Sequence, residues 1–328
     1  MNYVQLGNSD LNVSRICLGC MTFGDGSKGM FNRPMPWLLD QEKTDEMVKR
    51  ALDLGINFFD TANIYASGTS EMYLGNAIKK FAKREDVIIA TKVYFNEGKL
   101  KKEAILREVD LSLERLKTDY IDLLIIHRWD YDTPIEETME ALNQVIEEGK
   151  VRYIGASAMY AYQFLKAQET ARNHGWRPFI SMQNHYNLIY REEEREMLKL
   201  LKEEGVSATP YSPLAAGRLA RDWEANTARS ENDQTAKAKY DSDKENDYPI
   251  VLRVKELADK YNVTRGQIAM AWLLSKDVVA SPIVGVSKIH HLEDAAGAVN
   301  IELTKEDITY LEELYRPHHV VGALDSEN

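Results

Sequence analysis

Short apolar runs rich in β-branched residues alternate along the chain with segments whose apolar positions recur at helical spacing. The runs are residues 15–18, 56–60 (INFFD), 87–92 (VIIATK), 120–127 (YIDLLIIH), 151–157 (VRYIGAS), 179–183 (FISMQ), 206–211 (VSATPY) and 278–284 (VVASPIV), eight in all. Amphipathic helices are predicted between them, among others over 42–54, 70–83, 101–116, 135–148 and 190–204. Eight strand-helix units in about 300 residues suit an α/β fold of the closed parallel (β/α)8 type, a TIM barrel, better than an open sheet of about five or six strands. Residues 3–13 (YVQLGNSDLNV) place Gly7-Asn8-Ser9-Asp10 between two extended pieces and predict a β-hairpin plugging one end of the barrel. The exception to short connections is 212–249, whose portion 221–247 is polar, mixed in charge and without a lasting apolar period. It reads as a long loop at the carboxyl face of the barrel, expected to act as a lid.

Composition narrows the class without changing the fold. A chain of 328 residues, 44% hydrophobic, has no internal break in composition, so residues 1–328 read as one domain. Its net charge of -11 and its lack of a basic stripe argue against nucleic acid as a partner. The first residues lack a basic region followed by an apolar run, no stretch approaches the roughly 20 apolar residues of a membrane span, and two cysteines suit a reducing compartment. The expectation is a cytoplasmic protein that meets neither membrane nor nucleic acid. The sequence leaves its oligomeric state open.

Two motifs overlap in residues 17–29 (CLGCMTFGDGSKG). Gly24, Gly26 and Gly29 spell the dinucleotide fingerprint, but that motif needs a helix at its glycines and an acid about 20 residues on. Here Pro34 and Pro36 follow, and the next strand-ending acid, Asp60, is 31 positions beyond Gly29. Cys17 and Cys20 spell C-x-x-C, yet residues three apart on a strand face opposite ways, so they read as buried small side chains. No metal is implied: His290-His291 and His318-His319 lack ligand partners at chelating spacing and read as surface residues.

In a (β/α)8 barrel the chemistry sits at the carboxyl ends of the strands. The residues closing the runs are Asp60, Lys92, His127, Ser157, Gln183 and Tyr211, a polar set that would converge on one mouth. Taken singly, His127 reads as a satisfied barrel histidine and Lys92 as an ion-pair partner. Together with Tyr65, just after Asp60, they suit carbonyl reduction: a lysine beside a phenol favours phenolate and lowers a pKa that starts at about 10. The phenol would then donate a proton as an alkoxide develops, with His127 orienting the oxygen. Tyr211, Gln183 and Ser157 offer the aromatic face, amide and hydroxyl that a nicotinamide and its carboxamide require, or else plain packing.

The motifs D-T-A-x-x-Y, A-T-K and I-I-H at successive strand ends resemble the aldo-keto reductase superfamily over essentially the whole chain. CLGCMTFG, INFFDTANIY, HRWDYDTPIEETMEAL, SMQNHYNLIYREEERE and YRPHHVVG look especially like the YajO-like bacterial reductases. The resemblance implies NADPH-dependent interconversion of carbonyls and alcohols, with catalytic Asp60, Tyr65, Lys92 and His127, and Tyr65 as general acid. It implies cofactor contacts at Gly19, Met21, Asp60, Ser157, Gln183, Tyr211, Ser212, Leu214, Gly217 and Arg218. The adenine end would lie on Gly285, Ser287, Lys288, His291 and Asp294, with Ser287 and Lys288 meeting a 2′-phosphate. The chain departs from the pattern at Ala158 and Ala295, each of which removes a polar partner. The small-molecule carbonyl would meet Tyr65, Tyr94, His127 and Trp129, with a wall from the loop 24–37. Its apolar rings point to a neutral or weakly polar substrate, and strand alternation would turn Arg128 away from it, whereas a turn there would let Arg128 meet an acidic or phosphorylated one. The superfamily also resembles potassium-channel β subunits, so a regulatory subunit that senses NADPH is the alternative class.

Overall fold

In the computed structural model of the protein, which describes residues 1–223 and 234–321, every one of the eight predicted runs contributes a strand to one parallel sheet. An antiparallel hairpin comes first, β1 (Tyr3–Gln5) paired with β2 (Asn12–Ser14). Then follow β3 (Cys17–Gly19), β4 (Phe58–Asp60), β5 (Ile88–Val93), β6 (Ile121–Ile126), β7 (Val151–Ser157), β8 (Ser181–Gln183), β9 (Ser207–Ala208) and β10 (Ile283–Gly285). β3 to β9 lie side by side in chain order and β10 pairs with β3. The remaining gap is closed by a bridge between Ala208 and Val279, where the Ala280 N–H donates to the Ala208 carbonyl at 2.9 Å. The result is the expected (β/α)8 barrel. β9 is shorter than its predicted run because Pro210, which has no N–H, interrupts the ladder before Tyr211 bridges to His185.

Alternation along the strands builds two apolar layers. Cys17, Phe58, Ile88, Ala90, Leu123, Ile125 and Ile283 fill the barrel, and Leu6, Leu11 and Val13 of the hairpin close its floor. Leu18, Phe59, Ile89, Leu124 and Ile126 face outward, against the helices. Cys17 and Cys20 fall in different layers, and burial pushes both thiols well above their ordinary value. They are packing residues. The fingerprint glycines serve turns: at Gly29, with φ +51°, an added Cβ would lie 1.8 Å from the Arg33 carbonyl oxygen, and only a short 3-10 turn, Met30–Asn32, follows.

Helices Gln41–Asp53, Thr69–Phe81, Lys102–Leu116 and Ile135–Glu147 form where the periodicity places them. The Asp40 side chain caps the first by accepting from the Lys43 N–H. The helix predicted over 190–204 starts only at Met197, behind a 3-10 turn at Glu192–Glu194. The reason is tertiary, since the side chains of that turn are tied to the carboxyl-terminal segment: Glu192 accepts from the Tyr315 hydroxyl and the His318 N–H. The segment 221–247 also departs from expectation. Its stretch 224–233 lies outside the described residues, but Gln234–Tyr240 is helical and helix Lys244–Tyr261 begins before the segment ends. Tyr240 and Asp247 are buried, so this part is packed structure. Among the described residues no helix is long and apolar enough to cross a membrane.

Candidate active site

The ends of β4 and β5 bring together two charges that the sequence separates by 32 residues. Asp60 closes β4, and Lys92, whose side chain is fully buried, is the second-last residue of β5. The Lys92 ammonium donates to Asp60 Oδ1 at 2.5 Å, to the Thr61 carbonyl at 2.8 Å and to the Tyr65 hydroxyl at 3.3 Å, which uses its three donors. Tyr65 enters the mouth on a tight turn in which Ala66, Ser67 and Gly68 all have left-handed φ. Such backbone is costly for side chains with a Cβ and persists where the surroundings enforce it. Asp60 Oδ2 accepts from Gln183 Nε2 at 2.9 Å, and the Ser157 hydroxyl donates to the Gln183 carbonyl at 3.0 Å. Four strand-end regions are thus joined in one polar network.

The electrostatics of this network differ in one respect from the sequence expectation. Burial opposes the charge on Lys92, but Asp60 and Tyr65 more than offset it, so the ammonium is held above its ordinary value. Tyr65 is not lowered. Burial, reinforced by Asp60, outweighs Lys92 and keeps the phenol above its ordinary value. His127 follows the last residue of β6, and its N–H donates to the Val93 carbonyl at 2.9 Å. Burial, then the charges of Lys92 and Arg128, push its imidazole well below the ordinary value, so it is neutral. Its Nδ1 is buried without a partner among the described residues.

Aromatic rings line the mouth beside these groups. His127 meets Tyr65 edge-on at 5.9 Å between centroids and Phe95 at 5.0 Å. Phe95 in turn contacts Tyr94 at 5.0 Å and Phe31 of the loop 24–37 at 5.7 Å. Trp129 is partly buried and packs against the outer core. Arg128 does not turn away: its guanidinium carbon lies 4.9 Å from the Phe95 ring centre. The chain has left the strand by then, and the alternation that would have sent Arg128 into the helix layer no longer applies.

On the other side of the mouth, Tyr211 stacks nearly parallel to His185, at 5.3 Å and 12°, and His185 stacks on Tyr190 at 4.1 Å. His185 is bonded to the buried Tyr240 hydroxyl at 2.7 Å, which also accepts from Asn187. Sequence reasoning missed His185, Asn187 and Tyr240. His185 could have been found, since it follows Gln183 by two residues in a strand-like stretch, whereas Tyr240 lay in what read as loop. The following turn holds Ser212, Ala215, Ala216 and Gly217 at left-handed φ, beside the partly exposed Leu214. Arg218 is already engaged, paired with Asp241 and lying 5.0 Å from the Tyr240 ring centre, while its Nε is buried without a partner among the described residues.

The remaining positions lie along the edge from β3 to β10. Gly19 ends β3, where a Cβ would meet Ile283 Cγ2 at 2.9 Å, so packing alone requires it. Met21 is partly exposed in the 3-10 turn Cys20–Thr22. At Gly285 a Cβ would meet nothing within 4 Å, and Ser287, Lys288 and His291 are exposed around the start of helix Ile289–Gly297. Asp294 is partly exposed there, whereas Ala295 is buried in the core. His318 is not a surface residue. Its Nε2 pairs with Asp247 Oδ1 at 2.9 Å, with side chains only 5% and 1% exposed.

Comparison with known proteins extends this picture over the whole chain. Residues 15–316 match the Aldo/keto reductase family. A putative aryl-alcohol dehydrogenase of Schizosaccharomyces pombe is 43% identical, covering 98% of each chain. The versiconal hemiacetal acetate reductase of Aspergillus parasiticus is 42% identical over 97% of this chain and 98% of its own. The crystal structure of a thermostable aldo-keto reductase with the inhibitor epalrestat superposes with a TM-score of 0.77, at 29% identity, over 96% of this chain and 100% of that one. Both sequence relatives are fungal, and they give no specific support to the narrower likeness to YajO-like bacterial reductases. The chain belongs to the aldo/keto reductase family.

Proposed function

We propose that the protein is an NADPH-dependent reductase of aldehydes or ketones, with Asp60, Tyr65, Lys92 and His127 as its catalytic residues. The observation that carries the reading is the Lys92 ammonium shared between Asp60 and the Tyr65 hydroxyl at the barrel mouth. A phenol held above its ordinary value is fully protonated at neutral pH, which is the state a proton donor needs. As charge builds on the substrate oxygen, Tyr65 gives up its proton and the phenolate left behind is stabilised by Lys92. Asp60 holds the ammonium in place, and neutral His127 can donate a hydrogen bond to the same oxygen without competing as an acid.

The residues of the opposite side fit a dinucleotide. When bound, NADPH supplies the hydride. Gln183 donates to Asp60 through its nitrogen and leaves its amide oxygen for a carboxamide N–H, Ser157 can still accept, and Tyr211 offers a ring face. Ser212, Leu214, Gly217 and Arg218 would flank the pyrophosphate, with Arg218 exchanging Asp241 for phosphate. Gly285 leaves open space above β10, and Ser287 with Lys288 would meet the 2′-phosphate, His291 and Asp294 lying beside the adenine end. Gly19 and Met21 would border the nicotinamide. The carbonyl substrate would contact Tyr65, Tyr94, His127 and Trp129.

The test is NADPH oxidation with a panel of aldehydes and ketones by the wild type and by Tyr65→Phe. Turnover that falls about 100-fold or more in the variant, with NADPH still bound, is the expected result. Near wild-type kcat in Tyr65→Phe would remove the phenol from the reaction, and a single slow turnover by the wild type would remove the reductase.

A further inference from the structure

Arg128 is a charged residue at the mouth that the catalytic and cofactor assignments leave without a task. It follows His127 directly, its guanidinium lies over Phe95, and Phe95 is itself edge-on to His127. Its charge bears on His127 at one side of the mouth and on Tyr211 at the other. The guanidinium lies on the Phe95 ring, beside the group that would orient the carbonyl. Among the described residues it makes no hydrogen bond and no ion pair. The nearest acid in sequence is not available to it. Asp130 is buried, accepts from the Leu100 and Asp132 N–H groups and the Thr133 hydroxyl, and lies 3.8 Å from Lys99.

The contrast with Arg218 is informative. Arg218 is neutralised by Asp241, whereas Arg128 is partly buried, rests on an aromatic face and keeps its five donors unspent. In a chain of net charge -11, a half-buried guanidinium with no counter-charge among the described residues is a local reversal of the molecule's field, placed where a substrate enters. A planar fork of donors matches an oxyanion in two-point contact. Resting on the reductase reading above, we infer that Arg128 selects substrates that carry a carboxylate or similar oxyanion beside the reducible carbonyl, in place of the uncharged carbonyl that the sequence suggests.

The experiment compares benzaldehyde with 2-, 3- and 4-carboxybenzaldehyde and with 4-formylphenyl phosphate, all with NADPH, for the wild type, Arg128→Ala and Arg128→Lys. The wild type should favour at least one anionic aldehyde, and the carboxylate and phosphate arms identify which oxyanion it prefers. Arg128→Ala should lower the ratio of kcat/KM, anionic over neutral, by about tenfold or more, mostly through KM, and lysine should restore only part of it. A second readout does not need turnover: calorimetric binding of benzoate and benzamide to the NADP-loaded protein. Benzoate should bind tighter, with the difference lost in Arg128→Ala. That loss in a protein that turns over no aldehyde would uphold the anion site and remove the reductase reading. Equal binding of benzoate and benzamide, or a preference that survives Arg128→Ala, overturns the inference. So does an Arg128→Ala loss of NADPH affinity as large as its loss of benzoate affinity, since Arg128 would then belong to the cofactor.

Discussion

On the β4–β5 side of the mouth, Asp60 accepts from both Lys92 and Gln183, and each donor of the lysine has a partner. On the β9–β10 side, Arg218 Nε and His185 Nδ1 are buried without partners among the described residues, four successive or near-successive residues sit at left-handed φ, and Gly285 faces open space. The proposed chemistry is preorganised in the protein alone, while the proposed cofactor half is completed only by what it binds. The difference follows from the cost of burial. A buried ammonium must have its partners at all times, whereas a rim that gains a charged ligand can leave donors waiting. On the first side His127 Nδ1 and Asn63 Oδ1 are also buried without a partner among the described residues, and His127 is the residue that would meet substrate.

The sharpest way to break the comparison is Lys92→Met, which strands the Asp60 carboxyl among buried groups. Loss of a buried partner predicts a destabilisation of about 3–5 kcal/mol as well as loss of reduction, read from urea unfolding and NADPH oxidation. A variant as stable as the wild type would show that the β4–β5 side is no more committed than the rim. The next effect concerns the latch behind Tyr211. His318 pairs with Asp247, its N–H donates to Glu192, and its ring stacks on Tyr315 at 5.2 Å. Burial works against its positive charge, but Asp247 and Asp243 hold its pKa above the ordinary value. A raised folded-state pKa gives stability that is fully present below the unfolded value, about 6.5, and lost as pH rises through the folded one. His318→Ala should therefore cost about 1–3 kcal/mol near pH 6 and less at pH 8 or above, measured by thermal unfolding across that range. A cost that grows with pH would reverse the assigned sign.

Lys288→Glu tests the rim itself. It should lower the preference for NADPH over NADH by about tenfold and leave unfolding almost unchanged, because Lys288 is exposed and no partner is stranded. The smallest effect is expected at Ala158, which follows the end of β7 at a left-handed φ of 48°. Asparagine tolerates that conformation better than alanine, so Ala158→Asn should stabilise by about 0.5–1 kcal/mol and raise the melting temperature slightly. A lower melting temperature would mean that the new amide has no room.

The amino-acid sequence alone determined the barrel, its plugging hairpin, the helices between strands and the polar residues at the strand ends. Period-two and helical patterns are local, and the carboxyl end of a parallel barrel strand has a fixed place in the fold. Tertiary structure decided what sequence spacing could not express. It raised the Tyr65 phenol, because burial outweighs the lowering effect of Lys92 and Asp60 adds to it. It made part of 221–247 helical, because Tyr240 finds a buried place under His185. It delayed the helix after Tyr190 and buried His318, because the carboxyl-terminal segment crosses to Glu192 and Asp247, partners 126 and 71 residues away. It also turned Arg128 over Phe95, since alternation fixes a side chain only while the strand lasts. In each case the deciding partner is remote in sequence or the regular element has ended, and local pattern carries no information about either.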